Sequence, residues 1–208
     1  MGSKIVSILT NKWVLLGLGI VVGAGVILAL RFVTYVPATV HYHANFAVYV
    51  NGQPEQFKGT QYYEETAASS CSLTPIDSPL ERAHMHDGIN SVVHVEDHLV
   101  TWGNFFQNIN WGIGDDYLKT ANQVYTPADQ SKLTFILNGK QVDSIANTII
   151  GDQDKLLVSY GSDTSQAIQK QYDTIQNKAQ KYDVEQDPAS CSGSHAKVDA
   201  SERLKHLF

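Results

Sequence analysis

The chain has 208 residues, with 15 Lys and Arg against 21 Asp and Glu and a formal net charge of −6. That balance, with no basic cluster, excludes the electrostatic footprint of a nucleic-acid-binding protein. Hydrophobic residues make up 43%, enough for one domain of about 100–150 residues with extensions. The two cysteines, Cys71 and Cys191, form no Cys-x-x-Cys motif, so neither a thiolate zinc site nor a dithiol redox pair is available.

Residues 1–12 carry Lys4 and Lys12 and read as a cytoplasmic N-terminus. Residues 13–33 are a transmembrane anchor: the apolar, glycine-containing run from Trp13 to Leu30 is long enough to cross a bilayer core of roughly 30 Å as a helix. Lys4 and Lys12 outweigh Arg31, which by the positive-inside rule puts everything after Arg31 outside the cytoplasm. The run exceeds a signal-peptide core and lacks a clear small-x-small cleavage site before Pro37, so the anchor is expected to be retained. Gly19 and Gly23 have the spacing that lets two such helices approach, implying at most weak self-association.

Residues 40–161 are predicted to form an extracytoplasmic α+β domain. From Val40 to Val50 the residues alternate, with Tyr42, Ala44, Phe46, Val48 and Val50 on one face of a strand and His41, His43, Asn45, Ala47 and Tyr49 on the other. Asn51-Gly52 is a hairpin turn, and Gln53 to Phe57 is its expected return. Lys58 to Arg82 is a long loop. Ala83 to His86 is read as a short strand, Asp87-Gly88 as a turn, and Ser91 to Asp97 as a strand with Val92, His94 and Glu96 on one face. Thr101 is the N-cap of a short helix, Trp102 to Ile109, with Trp102, Phe105, Phe106 and Ile109 on its buried side. Trp111 to Asp116 ends that helix. Lys132 to Leu137 and Lys140 to Ile145 make a second hairpin about Asn138-Gly139, and Lys155 to Tyr160 is the last strand after an Asp152-Gln153-Asp154 turn.

Over residues 163–182 the period becomes helical. Ile168, Tyr172, Ile175, Ala179 and Tyr182 mark one seam of an amphipathic helix that packs on the domain. Residues 183–208 are a polar tail. Outside the cytoplasm a single Cys71–Cys191 disulfide is the natural pairing and would pin this tail to the long loop; two free thiols are the alternative.

The chemistry concentrates in histidine. The sixteen residues from Ala83 to His98 hold four of the eight histidines, and Val40 to Phe46 repeats the His-x-His spacing. Residues two apart on a strand share a face, so each pair presents two imidazoles on one side of a sheet. If the strands bearing the two pairs are neighbours, His41, His43, His84 and His86 converge, with His94 alongside as a fifth ligand. Asp87 and Glu96 are the nearby carboxylates that would support them. An imidazole set without thiolate suits zinc or copper. Met85 points away from His84 and His86, which argues against a thioether copper(I) site.

The order of elements, with a Phe-Phe helix crossing a sheet and an Asp-rich turn before the last strand, resembles a β-grasp (ubiquitin-like) domain. The chain also resembles a group of short, membrane-anchored, uncharacterised prokaryotic proteins. The matching positions are His41, His43, Asn51, Gly52, His84, His86, Asp87, His94, Glu96, Phe105, Phe106, Asn138, Gly139, Asp152 and Asp154. The resemblance covers about Val40 to Gly161 and implies a fold and a histidine site, not a reaction. Cupins are the rival resemblance and share the His-x-His, but Asn90 or Ser91 stands where their glutamate belongs, a departure from the cupin metal site.

The expected role is therefore a membrane-anchored, extracytoplasmic zinc or copper site in a binding or structural capacity, with no catalytic residue assigned and no protein partner identified. One alternative is an interaction scaffold whose histidines serve strand hydrogen bonds or respond to pH. Another is a metal-dependent hydrolase or oxidase, with three histidines on the metal and Glu96 or Asp87 as general base.

Overall fold

The computed structural model describes residues 12–35, 40–63, 82–85, 88–183, 200–205 and 207. Expectations for Cys71, Cys191, His86 and Asp87 fall outside these residues. The chain divides into two compact units, one of Met1–Ala38 with Ala196–Phe208 and one of Thr39–His195.

In the first unit, helix α1 spans Lys12–Thr34 and is long and apolar enough to cross a membrane, with none of its hydrophobic window buried in protein. At 1.5 Å per residue its length is about 34 Å, matched to a bilayer core. Added β-carbons at Gly19 and Gly23 would meet nothing within 4 Å.

The second unit is built on a mixed sheet of seven strands. Strand β1 (Tyr42–Val50) turns at Asn51-Gly52 into β2, which is only Gln53–Pro54 rather than a return to Phe57. Pro54 has no N–H to continue a ladder, and Phe57, with φ +43, leaves the strand to bury its ring in the core. Strands β3 (Ala83–His84) and β4 (Val92–Val95) follow, the latter shorter than the expected Ser91 to Asp97. Helix α2 (Trp102–Asn108) starts at Thr101 as expected. Thr101 Oγ1 accepts the Asn104 N–H at 3.2 Å and Asn104 Oδ1 accepts the Thr101 N–H at 3.0 Å.

Beyond α2, the stretch read as a helix end instead forms a small antiparallel sheet of β5 (Gly112–Ile113), β6 (Leu118–Lys119) and β7 (Val124–Tyr125). Two-residue strands carry no readable alternation, so periodicity missed them. Strands β8 (Lys132–Leu137) and β9 (Lys140–Val142) form the second hairpin, and β10 is Lys155–Gly161. Both Asn-Gly turns have positive φ at each central residue, the geometry that matches strand twist.

The large sheet runs β3-β4-β1-β10-β8-β9, with β2 also on β1. The central pair, β1 and β10, is parallel, and β4 and β8 flank it antiparallel. The turn before β10 is tied to the second hairpin on one side and to β1 on the other. Asn138 Nδ2 donates to Asp154 Oδ1 at 2.7 Å, the Lys155 N–H donates to Asn138 Oδ1 at 2.9 Å, and the Gln153 N–H donates to the His43 carbonyl at 2.7 Å.

One face of the sheet and α2 enclose the main core, where Phe46, Trp102, Phe105, Phe106 and Phe135 are almost completely buried. The other face carries a smaller cluster of Tyr49, Ile136, Leu157 and Ile175, covered by C-terminal helices. The single helix expected over 163–182 is two pieces, α3 (Ser165–Asp173) and α4 (Ala179–Tyr182). Thr174 breaks it: its hydroxyl donates back to the Gln171 carbonyl at 2.7 Å and lies 2.9 Å from the Tyr49 hydroxyl. In the first unit, α5 (Ala200–Lys205) brings the Arg203 guanidinium to the carbonyls of Phe32 and Val33 at the end of α1, at 2.8 and 3.2 Å.

Two stability predictions follow from this packing. A β-carbon on Gly103, in the first turn of α2, would stand 2.5 Å from the Ala146 carbonyl oxygen. Helix propensity alone favours Gly103→Ala by about 1 kcal/mol; the clash reverses the sign, and the urea midpoint should fall instead. Tyr42 donates to the Ile150 carbonyl at 2.7 Å, and its phenol is pushed from 10.0 up to about 12, first by burial and then by Asp154, Asp152 and Asp97. The unfolded chain thus loses this proton first. The Tyr42 contribution is intact below pH 10 and declines as pH rises toward 12. Tyr42→Phe should flatten the alkaline slope of stability between those pH values relative to wild type.

Candidate metal centre

The site lies on the second face of the sheet, at the end where β1 begins. His43 on β1 stands directly across from His94 on β4, and His94 in turn stands across from His84 on β3. Three imidazoles thus form a row across three strands on one face. His41, two residues before His43, extends the group along β1. All four are buried, with exposures of 6% for His41, 1% for His43, 2% for His94 and 4% for His84.

The ligating atoms of His41, His43 and His94 lie within 4.8 Å of one another. His94 Nδ1 is the pivot, 3.0 Å from His43 Nε2 and 3.3 Å from His41 Nε2. Three nitrogens on a tetrahedral zinc at 2.0–2.1 Å are separated by roughly 3.3–3.4 Å. The two separations from His94 match that spacing, and the set as a whole could hold a metal ion.

Carboxylates occupy the far side of two rings. Asp183 Oδ1 lies 2.9 Å from His43 Nδ1 and also accepts the His43 backbone N–H at 3.1 Å. Glu96 Oε1 lies 3.2 Å from His94 Nε2. Each carboxylate favours the proton on the nitrogen it faces. A neutral His43 that donates from Nδ1 to Asp183 would turn its Nε2 lone pair toward His94 Nδ1, 3.0 Å away, and a His94 protonated at Nε2 would meet it with a second lone pair. Two lone pairs at hydrogen-bond distance repel unless a cation stands between them. A proton can serve one such contact, whereas a metal ion could serve both contacts of His94 at once.

The arrangement revises the expected route to convergence. The strands bearing the two His-x-His pairs are not neighbours, because β4 lies between them. His94, expected as an accessory, is the centre, and His84 packs its ring on His94 at 5.0 Å between centroids with an interplanar angle of 26°. Glu96 sits where a supporting carboxylate was expected, since residues 94 and 96 share a face. Met85 is buried in the main core on the opposite face, as alternation requires.

Asp183 escaped sequence reasoning. It is 140 residues from His43 and follows α4 by one residue. The helix is itself docked on the site end of β1: the Ala179 N–H donates to Asn45 Oδ1 at 2.8 Å and Lys178 Nζ to Ser91 Oγ at 3.3 Å. The Tyr182 ring lies 5.8 Å from that of His43. The seam of residues 168–182 announced a packed helix, but not the strand end it covers.

Comparison with protein-family models, curated proteins and solved structures finds no match for this chain.

The tautomers are directly testable. Nitrogen-15 NMR of the metal-free protein at pH 8 should show His43 protonated at Nδ1 and His94 at Nε2. In Asp183→Asn the His43 preference should weaken while that of His94 persists. The reverse tautomer at His43 in wild type would remove the basis for three converging lone pairs.

Proposed function

We propose that the protein is a single-pass, membrane-anchored, extracytoplasmic protein whose His41, His43 and His94 hold one zinc or copper ion in a binding or structural role. The observation that carries this reading is the convergence of three buried imidazole nitrogens, two of them backed by carboxylates. Metal-ligating histidines commonly donate their other ring proton to a carboxylate. An imidazole set matches zinc or copper better than calcium or magnesium, which take oxygen ligands.

The anchor reading rests on α1 and on the excess of Lys4 and Lys12 over Arg31. The domain is read as a β-grasp relative. What supports this is a parallel central pair of first and last strands, a helix between the strands on one side and the hairpin on the other, and a helix-covered face. Membership in the group of short anchored prokaryotic proteins is proposed on the same histidine, Asn-Gly and Phe-Phe positions that suggested it. His84 is assigned to the wall of the site, against His94.

A second reading rests on the same distances. At 3.0 and 3.3 Å the imidazoles are also within hydrogen-bond range, which supports a proton-sharing network of an interaction domain; metal analysis separates the two. Purified full-length protein, stripped and then supplied separately with zinc and copper, should retain one equivalent after dialysis by ICP-MS. His94→Gln should abolish retention, while His98→Gln, outside the cluster, should leave it intact. Asp183→Asn should weaken affinity by about 10–100-fold. Substoichiometric metal in the wild type with both ions would leave the proton-sharing network as the reading.

A further inference from the structure

We infer that helix α5 (Ala200–Lys205) is a second membrane contact, lying on the phospholipid interface at the end of α1; this rests on the anchor reading above and not on the metal. The two helices belong to one compact unit, although the whole histidine-bearing domain separates them in sequence. Arg203 joins them. Its Nη1 donates to the carbonyls of Phe32, Val33 and Tyr35 at 2.8, 3.2 and 3.2 Å, and its Cζ lies 6.0 Å from the centre of the Phe32 ring. The last four carbonyls of a helix have no partner within it, and at a bilayer such groups must be satisfied by the protein itself. Arg203 therefore fixes α5 at the level where α1 leaves the hydrocarbon.

What α5 displays there suits that level. Ala200, Leu204 and Leu207 recur at spacings of four and three, which places them on one side of a helical turn. Leu204 is 56% exposed, and Leu30 and Val33 at the end of α1 are 59% and 72% exposed. Arg31 in the last turn of α1, and Arg203 and Lys205 in that of α5, supply cations beside these apolar groups. An apolar stripe flanked by basic residues is the composition of a helix that lies in the interface plane. Long basic stems reach the headgroups while their methylenes stay on apolar surface, and a guanidinium, with five N–H groups, can serve backbone carbonyls and a lipid phosphate at once. The occupant is the bilayer that α1 crosses, because α5 is fastened to the end of the span, where lipid is the surrounding medium. The chain thus leaves the membrane at Thr34 and returns to the same surface at Ala200.

The probe is a phospholipid carrying a diazirine near its glycerol backbone, mixed into nanodiscs of phosphatidylcholine and phosphatidylglycerol that each hold one copy of the full-length protein. One copy per disc removes a second chain as the occupant. After irradiation, mass spectrometry should find lipid adducts on α1 and also on residues 200–207. Leu204→Asp combined with Arg203→Gln should lose the second set and keep the first. Adducts on α1 with none on residues 200–207 would overturn the contact and leave the anchor standing. Adducts on α5 that survive the double substitution unchanged would overturn it too, because nearness to α1 alone would then explain them. Absence of adducts on α1 would instead overturn the anchor reading and this inference with it.

Discussion

Strand β1 and the residue before it carry His43, Asn45 and His41 into a face that is buried, and a buried polar group without a partner costs more than a typical hydrogen bond returns. This constraint organises the C-terminal part of the domain. Further along the same face the strand turns apolar, with Ala47 and Tyr49, and α3 can cover it by ordinary hydrophobic packing. At the histidine end apolar packing is not enough. Helix α4 therefore arrives with its own polar groups: a backbone N–H for Asn45 and a carboxylate for His43. Breaking the helix at Thr174 is what lets one segment serve both ends, because α3 and α4 need not share an axis.

The opposite face is predominantly apolar, with the indole N–H groups of Trp102 and Trp111 as its buried polar atoms without a hydrogen-bond partner among the described residues. Around α2, Phe46 meets Phe105 and Phe106 edge-on, Phe105 and Phe106 are tilted, and Phe106 stacks on Trp111, ring arrangements that suit the aromatic quadrupole. This core can hold the sheet flat against α2 without help from the histidine face. Alternation along β1 thereby separates two functions in one strand: even-numbered residues stabilise, and odd-numbered residues near its start build the site.

Legibility of the sequence followed the same division. The Asn-Gly turns, the Thr101 cap and the apolar face of β1 were readable because each depends on residues within a few positions of one another. The shared face of His41 and His43, and of His94 and Glu96, was readable from strand period alone. Strand order was not. Whether β3 or β4 lies beside β1 depends on a long loop and a tight turn that set no local pattern, and so the place of His94 at the centre of the described cluster is not legible in the sequence. Asp183 was invisible for a related reason: a carboxylate just past a helix looks like any solvated helix end until the helix is docked. The small sheet of β5, β6 and β7 failed the period test through shortness.

The topology also decides when the site can exist. The parallel pairing of β1 with β10 joins Phe46 to Leu156, with the whole α2 and β8–β9 region between them. Such long-range pairing carries a large loop-closure cost and forms slowly. His41, His43 and His94 could meet earlier, through the shorter β1–β4 connection, but β10 and α4 must be in place before Asp183 reaches His43. Until then the His43 tautomer is unconstrained and the three lone pairs have no reason to converge. An ion bound by the completed site therefore adds its binding energy to the fully assembled domain more than to any partly folded state. Ligands come from the first strands of the domain and the carboxylate from its last helix, so metal binding would tie the two ends of the domain together.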